Sequence, residues 1–269
     1  MHQPFSREFS HLDTNLERQL ERLFHTSHTH GWNGPEVVRQ AIAARDDEIP
    51  DSTKDALATF AADLTEVERA AWTTCMRFAL ETDHLEAKLA ATAQAADEAN
   101  HFQAIKEYSL RLGATGAQVD FGLSELLSAA ASAPLSEVLV MMQLTVENAA
   151  DHLFRQISRS NADVVISKLF PYYARDERRH VAFAELYLQS ILPSPDDEIG
   201  IAKVAMRWRA ALSVTLRWLA AREETYARLG VDVAEIAARL REDLQSLEES
   251  GPTLRVLVPA VLTAIPETV

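Results

Sequence analysis

The segment Asp176-Glu177-Arg178-Arg179-His180-Val181-Ala182-Phe183 holds a Glu and a His three residues apart. On a helix that spacing puts both side chains on one face. A carboxylate and an imidazole presented together suit a first-row transition metal such as iron, manganese or zinc. The pattern recurs, again with an Asp in front, in Asp97-Glu98-Ala99-Asn100-His101. Taken alone, Glu-x-x-His is a weak signal. With 24 Glu and 9 His in 269 residues, roughly one such pair arises by chance. Glu8 with His11 and Glu81 with His84 also fit, and both are read as chance because neither Glu follows an Asp.

Spacing separates the two Asp-led pairs from the others. A dinuclear site in a four-helix bundle needs one more Glu from each of the other two helices. Glu68 lies thirty residues before Glu98, and Glu147 lies thirty residues before Glu177. If each pair sits at one height in a helical hairpin, the turns fall at residues 83 and 162. Helix propensity dips at Glu81-Thr82-Asp83, and Ser160-Asn161-Ala162-Asp163 reads as a turn, independently of the ligand argument. The same spacing selects Glu68 over Glu66, which points to another face.

Working outward, periodicity predicts a long helix from Asp51 or Ser52 to about Leu80 and a second to about Leu112. A connection over 113–133 contains a short helix near Ser124–Ser132. A third long helix runs from Pro134 or Ser136 to about Ser158, and a fourth to about Leu192, before Pro193-Ser194-Pro195. Two hairpins joined by about twenty residues wire a four-helix bundle with one long crossover. Before it come a helix over about Phe9–Phe24, a loop containing His25, His28 and His30, and a short helix between Pro35 and Pro50. After it come helices over about Ile199–Leu229 and Val233–Leu247 and a short terminal one. The expected architecture is all-α: a bundle at about 51–192 covered by 1–50 and 196–269, in one domain.

Composition agrees. Only 8 Gly are present, the formal charge is −14 and the pI about 5.1. Acidic balance argues against a sequence-independent grip on nucleic acid or anionic lipid. Cys75 is the single cysteine, which excludes a disulfide framework or a thiolate cluster within one chain. The start Met1-His2-Gln3-Pro4 has no signal-peptide pattern, and Val256–Ile265 is too short to span a bilayer. The expected location is cytoplasmic.

The paired Glu…Asp-Glu-x-x-His arrangement resembles the ferritin-like diiron carboxylate proteins, among them ribonucleotide reductase small subunits, desaturases, multicomponent monooxygenase hydroxylases and arylamine N-oxygenases. The resemblance covers about residues 55–192. It implies a ferritin-like bundle, two iron ions (or an iron–manganese pair), and Glu68, Glu98, His101, Glu147, Glu177 and His180 as ligands. It further implies O2 as co-substrate, an electron-donor protein or reductant, a mostly apolar small-molecule or carrier-bound substrate, and a homodimer. Four ionised Glu with two neutral His carry a charge of about −4, which balances two divalent ions. Asp97 and Asp176 are placed to accept the second ring N–H of a ligand His, and Arg179 to neutralise one of these acids.

Three positions depart from subfamily patterns. Ile105 stands where radical-bearing reductase subunits have a Tyr. Tyr173 stands where arylamine N-oxygenases have an additional His. Asp151 stands where hydroxylases often carry a Thr, and reads either as a proton relay or as a solvated acid. Other readings are an iron-storing ferroxidase, or a metal-free helical scaffold whose acids are solvated. The His25/His28/His30 cluster lacks a carboxylate or Cys beside it and is read as an ordinary loop. Met141, Met142, Leu144, Phe154, Phe102, Ile105, Phe170 and Tyr173 are read mainly as core, and Trp72 as packing.

Overall fold

The structure is a computed structural model, and it describes residues 9–45, 48–114 and 121–265. The chain is built of helices. The bundle consists of α3 (Asp51–Glu81), α4 (Leu85–Arg111), the composite α6 (Leu135–Met141) plus α7 (Asn148–Ser160), and α8 (Val164–Ile191). The helix α3 packs along α4, α7 packs along α8, and α4 meets α8. Both hairpin turns lie at the expected midpoints. The first turn is Thr82–His84. In the second, Asn161 takes the left-handed conformation (φ 54°) and the Asp163 carboxylate caps α8 by accepting the Val165 and Ile166 amides. Residues with short polar side chains tolerate that conformation and satisfy the orphan amides of a helix start.

The third bundle helix is not continuous. Between α6 and α7 a π-helical segment, Met142–Glu147, is inserted, with all six residues buried. Within it the Thr145 hydroxyl donates to the Val140 carbonyl, five residues back, at 2.7 Å. Residue patterning alone does not reveal such an insertion, since one extra residue per turn rotates the pattern without erasing it. Its last residue is Glu147.

The N-terminal helices differ from expectation. The first, α1, runs Thr14–Thr29, capped by Asp13, so His25 and His28 lie on helix rather than loop. His25 lies 3.7 Å from Glu21, and His30 Nδ1 lies 2.9 Å from the Thr26 carbonyl. The second, α2 (Gly34–Ala43), begins with Pro35 in its first turn and is capped by Asn33. Both α1 and α2 pack on α4 and α8. The approach of α2 to α4 requires Gly34: its amide donates to Asn100 Oδ1 at 2.8 Å, and a Cβ there would stand 2.6 Å from Ala104 Cβ and 2.9 Å from the Asn100 carbonyl. A Cβ carbon fixed to the α4 backbone and a backbone carbonyl, not only a flexible side-chain end, occupy that space, so Gly34→Ala is expected to destabilise the protein by about 1–3 kcal/mol. Denaturant titration checks this; an unchanged midpoint would show that α2 yields at no cost.

The crossover helix α5 (Phe121–Ala130) packs on α3 and on α9 (Glu198–Ala221). The expected long helix after the bundle is interrupted at Arg222, where α9 gives way to α10 (Glu223–Arg228). The Arg222 guanidinium lies 2.9 Å from the buried carboxylate of Asp63 on α3. Then α11 (Val233–Ser246) packs on α7, and a 3-10 turn (Leu247–Ser250) leads to α12 (Pro252–Leu262) beside α9. Among the described residues no helix is long and apolar enough to cross a membrane.

Candidate metal centre

The bundle brings the six expected ligand residues together at its centre. Glu68 on α3, Glu98 and His101 on α4, Glu147 at the end of the π segment, and Glu177 and His180 on α8 are at most 3% exposed. They form two overlapping groups in which one potential ligand atom per residue lies within 4.8 Å of the others. One is Glu68, Glu98, His101 and Glu177; the other is Glu98, Glu147, Glu177 and His180. Glu98 and Glu177 belong to both groups, while each group has its own His and its own second Glu. Such an arrangement could hold two adjacent cations, with Glu98 and Glu177 within reach of both.

His Nδ1 is the inward atom in both cases. His101 Nδ1 lies 3.4 Å from Glu68 Oε2, 3.5 Å from Glu98 Oε2 and 3.4 Å from Glu177 Oε1. His180 Nδ1 lies 2.9 Å from Glu98 Oε1, 3.5 Å from Glu147 Oε2 and 3.3 Å from Glu177 Oε2. Despite this proximity, both oxygens of Glu98 and of Glu147, one of Glu177, and both Nδ1 atoms make no hydrogen bond. Buried polar atoms left this way cost several kcal/mol together unless something compensates. Divalent cations fit that need: four carboxylates and two imidazoles match their charge and donor preference.

The outward ring nitrogens are held crosswise. His101 Nε2 on α4 lies 3.3 Å from Asp176 Oδ2 on α8, and His180 Nε2 on α8 lies 3.4 Å from Asp97 Oδ2 on α4. Each Asp therefore orients the His of the opposite helix, and Nε2–H donation leaves Nδ1 as the free lone pair. Arg179 serves both acids rather than one, donating to Asp97 Oδ2 at 2.6 Å and to Asp176 Oδ1 at 3.0 Å.

Three further partners come from outside the sequence motifs. Trp32 Nε1 donates to Asp176 Oδ2 at 2.7 Å, Arg175 donates to Asp176 Oδ1 at 3.1 Å, and the Ser27 hydroxyl donates to Asp97 at 3.1 Å. The Trp32 ring stacks on Tyr172, with centroids 4.8 Å apart. Ser27 and Trp32 lie on the N-terminal segment, 70 and 144 residues from their acceptors, and no spacing rule reaches that far.

Of the two readings of Asp151, the structure overturns the solvated acid. The residue is fully buried rather than solvated, and is clamped by Arg155 at 2.6 Å and Arg178 at 2.8 Å. One turn after Glu147, its position on α7 faces α8, where Arg178 supplies the counter-charge. Glu66, by contrast, pairs with Arg69 on the surface at 2.5 Å. His84 Nδ1 contacts the Tyr187 hydroxyl at 2.5 Å, away from the centre; Glu8 lies outside the described residues. His152 pairs with Asp243 at 2.8 Å, and Trp72 packs by Phe102 at 6.0 Å.

Electrostatics divides the carboxylates. Burial pushes the Glu147 carboxyl up to about 8 and lifts Glu68 well above the ordinary range. Burial works the same way on Glu98, but the imidazoles of His101 and His180 facing it outweigh burial and hold it below the ordinary range. Asp176 is likewise held low against burial by His101, Arg179 and Trp32. Both His rings are raised despite burial, by Asp97 or Asp176 behind them and the Glu oxygens in front. Without metal the cluster thus retains protons at neutral pH.

The fold is similar to that of solved R2-like ligand-binding oxidases. One, with an aerobically reconstituted Mn/Fe cofactor after a long soak, is 17% identical, with a TM-score of 0.60 over 91% of this chain and 99% of that one. A variant with an aerobically reconstituted Fe/Fe cofactor is 18% identical, with a TM-score of 0.55 over 96% and 100%. No functionally curated protein matches the sequence. The family described as P-aminobenzoate N-oxygenase AurF matches residues 66–254, which is more than half of the chain and takes in all six central residues. The match holds although Tyr173 occupies the place of the additional His. The Tyr173 ring stacks on His101 at 4.0 Å, and its hydroxyl donates to the His101 carbonyl at 2.5 Å.

Proposed function

This chain belongs to the p-aminobenzoate N-oxygenase AurF family, and we propose from that membership that it is a dinuclear-metal oxygenase acting on a small, mostly apolar organic molecule that carries an amine. The observation that carries the proposal is the pair of buried donor groups sharing Glu98 and Glu177, in which both oxygens of Glu98 and Glu147, one of Glu177 and both His Nδ1 atoms make no hydrogen bond. An iron pair, or a manganese–iron pair such as the structural relatives carry, would be held by Glu68, Glu98, His101, Glu147, Glu177 and His180. When bound, such a pair supplies the redox capacity to reduce O2 while an organic substrate is oxidised.

The protein's own contribution is positional. Asp97 and Asp176 fix the tautomer of the two His ligands, Arg179 fixes the two acids, and the apolar walls exclude bulk water. Asp151 anchors α7 to α8 through Arg178, while Arg155 on its own helix holds its other oxygen. Trp32, Asp176 and His101 form a hydrogen-bonded series from the N-terminal cover to the ligand shell, an economical route for electrons from an external donor protein or reductant. The same proposal takes the chain as one domain acting in the cytoplasm, as a homodimer.

Anaerobic Fe(II) loading followed by elemental analysis tests it. About two irons per chain are expected, with O2 consumed on exposure to air. Loading should release protons, because Glu147 (raised to about 8) and Glu68 must ionise to bind. Iron affinity is therefore expected to rise as pH increases from 6 towards 8. A wild type with no stoichiometric metal would end the proposal and leave a helical scaffold.

A further inference from the structure

A polar layer crosses the bundle one step from the centre. Gln94 lies four residues before Glu98, Gln143 four before Glu147, and Cys75 seven after Glu68. All three are buried, with exposures of 4%, 1% and 1%. The Cys75 sulfur lies 3.8 Å from Gln94 Oε1 and 3.9 Å from Gln143 Nε2, while Gln143 Oε1 has no partner at all. A thiol is a weak donor and a weak acceptor, so both amides are poorly satisfied. The layer borders the ligands: after burial, the charges of Glu147 and Glu98 are the main influences that raise the Cys75 thiol. A bundle needs apolar residues at such positions, and a Leu or Met would cost less to bury than an amide.

We propose that Gln143 and Gln94, with Cys75 between them, seat the amino head group of the substrate beside the Glu147 edge of the centre. This inference rests on the function proposed above. It goes further by assigning residues that select the head group. Gln143 Oε1 lacks a donor and Gln94 Oε1 has only a thiol. A neutral –NH2 offers two N–H donors for two carbonyls; a hydroxyl offers one and a methyl none. The π segment that carries Gln143 also carries Glu147, so head group and ligand are positioned by the same six residues.

The experiment is calorimetric binding of aniline, phenol and toluene to iron-loaded wild type and to Gln143→Met, which keeps the volume and removes the amide. Iron is counted on the same samples, and thermal midpoints are measured on the iron-free proteins. Wild type should bind in the order aniline, phenol, toluene. Gln143→Met should lose roughly tenfold in affinity for aniline and change by less than about twofold for toluene, while its iron-free form melts no lower than wild type. If Gln143→Met melts lower, Gln94→Met carries the same comparison. Equal loss for aniline and toluene, equal affinity of wild type for both, or no binding of aniline overturns the amine seat. With two irons present, those outcomes leave the oxygenase proposal standing; a wild type without iron overturns both.

Discussion

Replacing Glu98 and Glu177 together by Gln is expected to abolish binding of both metals, whereas Glu68→Gln leaves about one per chain. The asymmetry follows from the sharing of ligands. Glu98 and Glu177 each serve both donor groups, while Glu68 serves only the group containing His101. A Gln keeps the volume of a Glu but carries no charge and donates through its nitrogen, so it cannot bridge two cations. Elemental analysis after anaerobic Fe(II) loading reads the result, and unchanged far-UV circular dichroism confirms the fold. If the double variant kept one tightly bound metal, the two groups would be separate sites rather than one centre.

Arg179→Met is expected to be the most destabilising single change near the centre, by about 3–5 kcal/mol. The Arg179 side chain is 7% exposed and donates to Asp97 and Asp176 at once, and the Asp176 side chain is 1% exposed. Removing the cation leaves two carboxylates in a poorly solvated place, behind the His rings that they orient. Arg175 also contacts Asp176 but is 37% exposed, which supports the lower end of that range. Arg179→Lys should recover only part of the loss, because one ammonium does not reproduce a guanidinium reaching two acceptors. A shift of the urea midpoint at constant slope measures it; a loss under about 1 kcal/mol would show that water or Arg175 already compensates the pair.

The two hairpins were legible because their information is local. Glu98 with His101 and Glu177 with His180 are set by the turn of one helix, and Glu68 and Glu147 follow once the hairpin turns are placed at residues 83 and 162. The turn read at residues 160–163 ends in Asp163, whose carboxylate accepts two amides of α8 in the structure. The π segment was not legible, since Met142–Glu147 is as apolar in either helical form and the choice depends on what packs around it. Nor was the end of α1, where Ser27 and His28 look like loop residues until contact with α4 extends the helix past them.

By itself, then, the chain determines an all-α bundle and the six residues at its centre, because period, propensity and hairpin symmetry act over at most thirty residues. Tertiary packing alone decides which carboxylates belong to both donor groups and that each Asp serves the His of the other helix. It also decides that Trp32 reaches Asp176 across 144 residues, and that Asp151 is buried between two arginines. Those outcomes depend on how whole helices rotate and dock against one another, and that is settled by close packing of the complete core, for which no short stretch of sequence holds the information.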